Sequence, residues 1–286
     1  MSISTAFISR RSLLAGAAGI VAATSLAACS SGEGAAGSVA EESQVLRVAA
    51  SPSPHAEILN DFAAERLAEQ GITLEVEEYT DYILPNQDTS SGEVDCNYFQ
   101  HINYLNNYNE ENGTDLVNAG KIHFEPMGVF SDKHADLGDI ADGALIAVPN
   151  DATNEGRALL LLQEQGLIAL AEDAGITATP NDIVDNPHNL EFSEQEAAML
   201  PSTLADVDFA VINGNYAIDA GLTLEDAVAQ ESSDSEAIAN EYANVIATTP
   251  ELEDDERVTA LVAVLQTDDF KQFLADTYGD AVQAAF

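Results

Sequence analysis

The feature that most constrains the fold of this chain is an alternation of strand-like and helix-like segments that begins twice. Residues 45–50 are rich in branched apolar side chains, which predicts a strand that stops at the prolines of residues 52–54. A helix follows and ends at Gly71, and residues 72–77 then alternate apolar and polar side chains, as a half-buried strand does. A strand, a helix and a strand at this spacing predict a βαβ unit with parallel strands.

The same alternation begins again near residue 144. Residues 144–149 and 207–212 predict strands, and residues 154–165 predict a helix between them. Residues 242–248 predict a strand that returns to the first half of the chain, and the chain closes with amphipathic stretches over residues 257–265 and 270–278.

An α/β chain that leaves its first half and later comes back predicts two lobes. We expect the periplasmic-binding-protein-like architecture of type II, with a ligand cleft between the lobes at the carboxyl ends of the strands. We place the first lobe at residues 45–130 plus 242–286 and the second at residues 131–241.

Residues 1–29 have the features of a lipoprotein signal peptide. A twin arginine precedes an apolar stretch over residues 13–28, which is shorter than the ~20 residues that span a bilayer. The stretch ends in Leu-Ala-Ala-Cys, which resembles the bacterial lipobox, so we expect a lipid on Cys29. The alternatives are an anchor helix with an incidental cysteine and, for the export route, the Sec pathway instead of the Tat pathway that a twin arginine suggests.

The residues after Cys29 predict a flexible tether. Small residues dominate the start of residues 30–44, and such a segment behaves as a coil. The chain has two cysteines, so a lipid on Cys29 leaves Cys96 without a disulfide partner. Cys96 lies in a strand-like run, where we expect a small buried apolar side chain and not a reactive thiol.

The charge of the chain excludes whole classes of partner. Fifty acidic residues face nine basic ones, for a net charge of -41. Nucleic acid and anionic lipid head groups both need clustered basic residues, so we expect neither to bind the protein surface. The acidic residues predict a strongly solvated surface. Because bases are scarce, each one outside the signal peptide is a candidate for a specific role.

Six sequence blocks follow one another in a recognisable order and spacing. They are residues 54–59 (PHAEIL), 80–86 (TDYILPN), 97–101 (NYFQH), 123–128 (HFEPMG), 149–159 (PNDATNEGRAL) and 211–216 (VINGNY). Together with the lipobox they resemble the methionine-binding lipoprotein family of the NlpA/MetQ type. The resemblance implies a lipid-anchored receptor on the extracytoplasmic side of the membrane, which binds methionine and delivers it to an ABC permease and its ATPase subunits. It implies no enzymatic activity and no cofactor.

Arg157 is the first candidate for a ligand contact. A guanidinium can hold a carboxylate through two parallel hydrogen bonds, and the residue lies a few positions into a predicted helix. The alternative is a surface arginine in an ion pair. The resemblance implies that Arg157 binds the ligand carboxylate.

Tyr82, Phe99 and His101 form an aromatic set. Aromatic faces suit a thioether, which gains roughly 0.3–1.5 kcal/mol from each sulfur–aromatic contact. From the residues alone, Phe99 is predicted to be a core residue and His101 to be a satisfied residue at the start of a helix. The resemblance places all three at the ligand pocket.

Two asparagines complete the candidate site. The resemblance implies that the Asn213 amide accepts from the ligand ammonium and donates to its carboxylate; the alternative is an asparagine that forms a turn. Asn154 either contacts the ligand or caps the helix that follows it.

Three other functions compete with a methionine receptor. Within binding proteins, another amino acid or a methionine-containing dipeptide would present the same carboxylate to Arg157. His123 and Glu125 resemble paired metal ligands, but no histidine pair has the helical spacing of a zinc site, so we expect no metal. A hydrolase would need a nucleophile elbow or an HExxH motif, and the chain has neither, so we expect no catalytic residues.

Overall fold

The computed structural model describes residues 44–232 and 241–286 and contains two main β-sheets. The first sheet has six strands in the order β13-β4-β12-β3-β1-β2, and the second has five in the order β11-β5-β10-β6-β9. The strands are β1 (Gln44–Ala50), β2 (Ile72–Glu78), β3 (Cys96–His101), β4 (Val117–Phe124), β5 (Gly128–Phe130), β6 (Leu145–Pro149), β7 (Ala169–Leu170), β8 (Ile183–Asp185), β9 (Glu191–Gln195), β10 (Phe209–Ile212), β11 (Ala229–Gln230), β12 (Asn244–Thr248) and β13 (Gln283–Ala284). Strands β7 and β8 form a separate two-stranded sheet.

Helices connect and cover these sheets. Helical turns at Pro52–Ala56 and Leu59–Ala63 lead into a short α1. The helices are α1 (Ala64–Ala68), α2 (Leu84–Ser91), α3 (Ile102–Asn112), α4 (Ala152–Glu164), α5 (Gly214–Asp219), α6 (Glu256–Leu265) and α7 (Asp268–Tyr278). Short helical turns lie between them, and none of the helices in the described ranges is long and apolar enough to cross a bilayer.

The first sheet contains the predicted βαβ unit. Strand β1 pairs in parallel with both β2 and β3, as the strand–helix–strand pattern predicts. Strand β12 lies between β3 and β4 and pairs antiparallel with both, so the segment predicted to return to the first half of the chain does return there. One apolar core packs helices against this sheet and includes Leu46, Phe62, Ile122, Leu261 and Phe270.

The inner strands β6 and β10 of the second sheet are buried on both faces. Ile146 and Val148 of β6 lie in one apolar cluster with helix α4, whereas Ala147 between them lies in a second cluster with Leu200. Strands β10, β6 and β9 pair in parallel, and a sheet of this type carries helices or turns on both sides. The near-continuous apolar sequence of β6 and β10 follows from this burial.

The chain passes between the sheets at two places. The first crossing connects Phe124, the last residue of β4, to Gly128, the first residue of β5. The sequence placed residues 128–130 in the first lobe, but β5 pairs antiparallel with β10 of the second sheet. The first crossing therefore lies about three residues earlier than predicted. The second crossing follows Gln230 and ends at Asn244, and part of it lies outside the described residues.

Two predictions about cysteines have different outcomes. Cys96 is fully buried in β3, and burial raises the pKa of its thiol, so it is the inert apolar side chain that was predicted. The signal peptide, the lipid site at Cys29 and the tether over residues 30–44 lie outside the described residues except for Gln44, which begins β1.

Candidate ligand-binding site

A small enclosed cavity lies between residues carried by the two sheets. It has room for about one water-sized sphere, about 20 Å³, within an empty space of about 330 Å³ that includes open solvent. All six residues predicted to contact a ligand line it. The lining residues are Tyr82, Phe99, Gln100, His101, Tyr104, Glu125, Asn154, Arg157, Asn213, Gly214, Asn215 and Asn244.

The two sheets contribute different chemistry to the cavity. Phe99 and His101 come from β3 of the first sheet, and Tyr82 comes from the loop after β2. Arg157 comes from α4, the helix that follows β6 of the second sheet. Asn213 directly follows β10 of the second sheet, at its carboxyl end. The first sheet thus supplies mainly aromatic surface, and the second supplies mainly polar groups.

Hydrogen bonds between the two sides close the cavity. The Tyr82 hydroxyl donates to Asn215 Oδ1 at 2.5 Å, and the Tyr216 hydroxyl donates to the Thr80 carbonyl at 3.1 Å. A wider depression, with an empty volume of about 860 Å³, shares Tyr82 and Tyr104 with the cavity. These two tyrosines therefore stand between the enclosed cavity and the open surface.

Arg157 is buried, and most of its donors already have partners. Its Nε donates to Glu231 Oε1 at 2.7 Å, and its Nη2 donates to Glu231 Oε2 at 2.6 Å and to the Glu125 carbonyl at 2.9 Å. Burial alone would lower the pKa of Arg157, but the Glu231 carboxylate raises it above its usual value. A guanidinium has five N–H groups, and these bonds use the one on Nε and the two on Nη2. The two N–H groups on Nη1 remain. The guanidinium also lies 4.2 Å from the centre of the Tyr242 ring.

The ion pair with Glu231 corrects the sequence-based view of Arg157. The sequence predicted a guanidinium that holds a ligand carboxylate with two parallel bonds, or else a surface ion pair. Arg157 is instead only 4% exposed and forms its two parallel bonds with Glu231. Nothing local signals this partner, because Glu231 is 74 positions further along the chain.

Asn154 organises the polar side of the cavity. The N-cap of α4 is Asp151, whose carboxylate accepts the Asn154 backbone N–H at 3.0 Å, so the prediction of Asn154 as the cap is wrong. The Asn154 side-chain amide donates to both Asp151 oxygens, and its Oδ1 accepts from Asn213 Nδ2 at 2.7 Å. These bonds leave Asn213 Oδ1 buried, with no hydrogen-bond partner among the residues that the structure describes.

His101 both caps a helix and faces the cavity. Its Nδ1 accepts the Tyr104 backbone N–H at 3.1 Å, so the ring proton lies on Nε2, which is 3.2 Å from Asn154 Oδ1. Burial, and then the nearby Arg157 charge, lower the pKa of His101 to about 3, so the ring is neutral near pH 7. His101 is therefore the residue at the start of a helix that was predicted, and it also lines the cavity, where its contact with a ligand stays a prediction.

The aromatic surface is larger than the predicted set. Tyr82 lies 5.8 Å from Phe99 and 5.7 Å from Tyr104, measured between ring centres. Phe99 is 3% exposed and lines the cavity, so it is the core residue that was predicted, and its contact with a ligand stays a prediction. Tyr104, one turn into α3, was missed because helical spacing alone does not show which face of α3 meets the second sheet.

Several polar lining residues lie outside the predicted set. Glu125, Gly214 and Asn215 lie inside blocks that were quoted for the family resemblance, and that position was the available signal. Asn244 begins the strand that returns to the first sheet, and its Oδ1 lies 3.0 Å from His55 Nε2. Two residues 189 positions apart meet only through the fold, so no local pattern predicts this pair.

Beneath the cavity, His55, His123 and Glu125 bring three potential metal ligands within 4.8 Å of one another. His123 Nε2 lies 2.6 Å from Glu125 Oε1, and His123 Nδ1 is hydrogen-bonded to the Tyr98 hydroxyl. Two ligands of one tetrahedral zinc ion lie about 3.3 Å apart at the usual bond lengths. The shorter distance is that of a hydrogen bond, so the arrangement fits a shared proton better than a metal ion.

Comparisons of the sequence and of the structure with known proteins both identify the NlpA lipoprotein family. The model of the NlpA lipoprotein family matches residues 46–286. The methionine-binding lipoprotein MetQ of Bacillus subtilis is 40% identical over 278 residues, which cover 95% of this chain and 98% of that protein.

Two solved structures show that the similarity extends to the fold. A crystal structure of a lipoprotein from Ruminococcus gnavus has 48% sequence identity and a TM-score of 0.82, and the match covers 84% of this chain and 99% of that one. A nutrient-binding protein from Burkholderia cenocepacia, solved with methionine bound, has 40% identity and a TM-score of 0.79, and the match covers 84% of this chain and 100% of that one. The α/β, two-lobed architecture of solute-binding proteins is therefore confirmed, and this chain is a member of the NlpA lipoprotein family.

Proposed function

We propose that this protein is an extracytoplasmic solute receptor that binds methionine and delivers it to an ABC permease with its ATPase subunits. The observation that carries the proposal is the cavity itself, which combines one buried guanidinium, an amide oxygen without a hydrogen-bond partner in the described part of the chain, and an aromatic wall. A free amino acid presents a carboxylate, an ammonium group and a side chain, and each of these has a complementary partner there. A similar protein was solved with methionine bound.

The carboxylate of the ligand binds Arg157 through Nη1, the nitrogen that the ion pair with Glu231 leaves over. The ammonium group donates to Asn213 Oδ1, which is buried and would otherwise stay unpaired at a cost of about 1–3 kcal/mol. The thioether packs against Phe99 and Tyr82. Asn154 acts as a positioning residue, since Asp151, His101 and Asn213 already use its polar atoms.

Ligand binding favours a closed state of two lobes, because only closure brings both sets of contacts to one molecule. We take the crossings between the sheets, at residues 125–127 and 231–243, as the boundaries of the lobes. A lipid on Cys29 would hold the receptor at the membrane, beside the permease. Labelling of cells with a radioactive fatty acid, followed by isolation of the protein, tests the anchor.

A receptor for another amino acid or for a methionine-containing dipeptide is the alternative. A dipeptide would need the contact between Tyr82 and Asn215 to open further than a single amino acid does. Calorimetric titration of the full-length protein in detergent with the protein amino acids and with Gly-Met separates these ligands. Methionine is expected to bind most tightly, and tighter binding of leucine, glutamine or Gly-Met would overturn the proposal. We propose a receptor and not an enzyme, because the similar proteins are named as binding proteins.

A further inference from the structure

The loop after β2 and the start of α5 meet beside the enclosed cavity. The Tyr216 hydroxyl donates to the Thr80 carbonyl at 3.1 Å, and the Tyr82 hydroxyl donates to Asn215 Oδ1 at 2.5 Å. With the lobe boundaries proposed above, each of these bonds joins the first lobe to the second. We call these four residues and their two hydrogen bonds the tyrosine clasp. Because the protein alone forms the clasp, it links the lobes without any contact to a ligand.

Tyr216 takes part in the clasp without lining the cavity. Tyr82 and Asn215 line the cavity, whereas Tyr216 lines the wider depression outside it. Tyr216 is 7% exposed, and its ring centre lies 4.9 Å from that of Tyr82. The exchange of Tyr216 for phenylalanine therefore removes one bond between the lobes and keeps both this ring contact and every proposed ligand contact.

The Tyr216 hydroxyl is the donor of its bond at any pH near neutrality. A carbonyl oxygen has no proton to give, so the hydrogen comes from the tyrosine. Burial, and then the negative charges of Asp81 and Asp151, raise the pKa of Tyr216, so the hydroxyl keeps its proton. The acceptor belongs to Thr80, an exposed residue, so water can solvate that carbonyl once the bond is lost. The effect of removing the hydroxyl thus reports the bond itself.

Gly214 allows α5 to begin close to the first lobe. A Cβ atom at position 214 would come within 2.6 Å of Glu125 Cβ and 3.2 Å of the Pro126 carbonyl oxygen, and both of these residues belong to the first crossing. A side chain at this position would displace the crossing, so glycine permits the close approach. Two positions later, Tyr216 reaches the loop after β2.

We infer that Tyr216 is a positioning residue that stabilises the closed receptor through the tyrosine clasp and thereby slows the release of the ligand. The inference rests on the proposed function, because it concerns the same ligand and the same two lobes. The bond between Tyr216 and Thr80 requires the lobes to be together, so it contributes to the closed state alone. Such a contribution shifts the balance between the open and the closed receptor by one factor, whichever amino acid is bound.

The test is the rate at which methionine leaves Tyr216→Phe. The full-length protein in detergent is loaded with radioactive methionine and then mixed with an excess of unlabelled methionine. The dissociation rate constant is expected to rise by about two- to tenfold, the effect of one lost hydrogen bond, while the association rate constant changes little. The preference for methionine over norleucine is expected to stay the same, because no ligand contact changes.

Tyr278→Phe is the matched control. The Tyr278 hydroxyl donates to Glu57 Oε2 at 2.8 Å, and both residues lie in the first lobe, so this variant loses a tyrosine hydrogen bond that does not join the lobes. Its dissociation rate is expected to equal that of the unmodified protein. Tyr82→Phe removes the other bond of the clasp and keeps its ring at the cavity. It is expected to release methionine faster by a similar factor, and it decides the question if Tyr216→Phe does not fold.

The outcomes separate this inference from the proposed function. If the unmodified protein binds methionine and Tyr216→Phe releases it at an unchanged rate, the inference is overturned and the methionine receptor stands. Equal acceleration in Tyr216→Phe and Tyr278→Phe also overturns it, because the lost bond then acts through general stability. An altered preference between methionine and norleucine in Tyr216→Phe overturns it as well, because the hydroxyl then acts on the cavity. Failure of the unmodified protein to bind methionine overturns the proposed function and the inference together.

Discussion

Two groups of buried polar residues flank the cavity, and they are stabilised in opposite ways. The arginine side consists of the charged pair of Arg157 and Glu231 and of Asn154 with its hydrogen-bond partners Asp151 and Asn213. The histidine layer consists of His55, Tyr98, His123 and Asn244, and burial keeps its ionisable groups neutral. On the arginine side, Glu231 stabilises the charge of Arg157. In the histidine layer, burial disfavours the charged form of each ionisable group.

This difference separates the residues expected to bind the ligand from those expected to stabilise the cavity. Within residues 44–232 and 241–286, the bonds of the arginine side leave over Arg157 Nη1 and Asn213 Oδ1. The histidine layer lies beneath Glu125 and reaches the cavity through that residue and Asn244. Substitutions on the arginine side are therefore expected to change affinity, and those in the histidine layer mainly stability and its dependence on pH.

The largest effect is expected from Arg157→Ala. It removes the group proposed to bind the ligand carboxylate and is expected to lower the affinity for methionine by about 2–5 kcal/mol. It also leaves Glu231 buried without a counter-ion, which is expected to lower the free energy of unfolding by about 3–5 kcal/mol. Calorimetry and urea denaturation measure the two effects separately. Unchanged affinity in a folded variant would remove Arg157 from the site.

Glu231→Gln tests the ion pair with Arg157 from the other side, because it removes the negative charge of Glu231 and keeps the shape of the side chain. We expect a loss of about 1.5–3 kcal/mol in the free energy of unfolding, since the hydrogen bonds of Arg157 are no longer made to a charged acceptor. Urea denaturation measures the loss, and Glu225→Gln on the exposed surface serves as the control with no comparable change. In a double variant with Arg157→Ala, the two losses are expected to sum to less than their separate values, because the residues share one interaction. Additive losses would show that the pair does not act as a unit.

The fold was largely predictable because its signals are local. The apolar runs at β1, β6 and β10 and the alternation in β2 are properties of short segments, and each gave a strand within two residues of its observed bounds. The boundary at β5 failed for a physical reason. A three-residue strand carries too little pattern to show which sheet it joins, and pairing with β10 decides it.

The residues of the candidate site were predictable from the sequence, but the hydrogen bonds between them were not. The resemblance of whole sequence blocks identified six residues that all line the cavity. It could not show that Glu231 holds Arg157, because that pair is set by the second crossing between the sheets. The cap of α4 was misplaced for a related reason, since Asp151 and Asn154 are both good capping residues and only the backbone conformation selects the earlier one.

The histidine layer is expected to make stability depend on pH through His55. Its pKa is about 4 in the folded protein and about 6.5 in the unfolded chain, so the unfolded chain binds the extra proton between these values. The contribution of His55 is complete above pH 6.5 and is lost as the pH falls towards 4, by about 1.4 kcal/mol per pH unit. In His55→Asn the free energy of unfolding should therefore fall less steeply with pH over this window.

The measurement is urea denaturation of both proteins from pH 8 to pH 4.5, with ~0.5-unit steps that resolve a slope of one proton. Many carboxylates titrate in the same range, so the difference between the two proteins is informative and the absolute profile is not. Above pH 7.5 the two curves are expected to run parallel, which provides the internal control. Parallel curves at every pH would show that the His55 ring takes up its proton in the folded protein as it does in the unfolded chain.

The smallest effect is expected from Phe99→Leu, which tests the aromatic wall and leaves both charged groups in place. A sulfur atom gains roughly 0.3–1.5 kcal/mol from contact with an aromatic ring, and a methylene group in its position gains less. Norleucine differs from methionine by this one exchange, so the ratio of their affinities isolates the contact. We expect the preference for methionine over norleucine to shrink by up to about tenfold in Phe99→Leu. Phe192→Leu is the control and should keep this preference, because Phe192 lies on β9 and does not line the cavity. If the preference survives in Phe99→Leu, selectivity for sulfur comes from the shape of the cavity, and Phe99 is then a core residue that happens to border it.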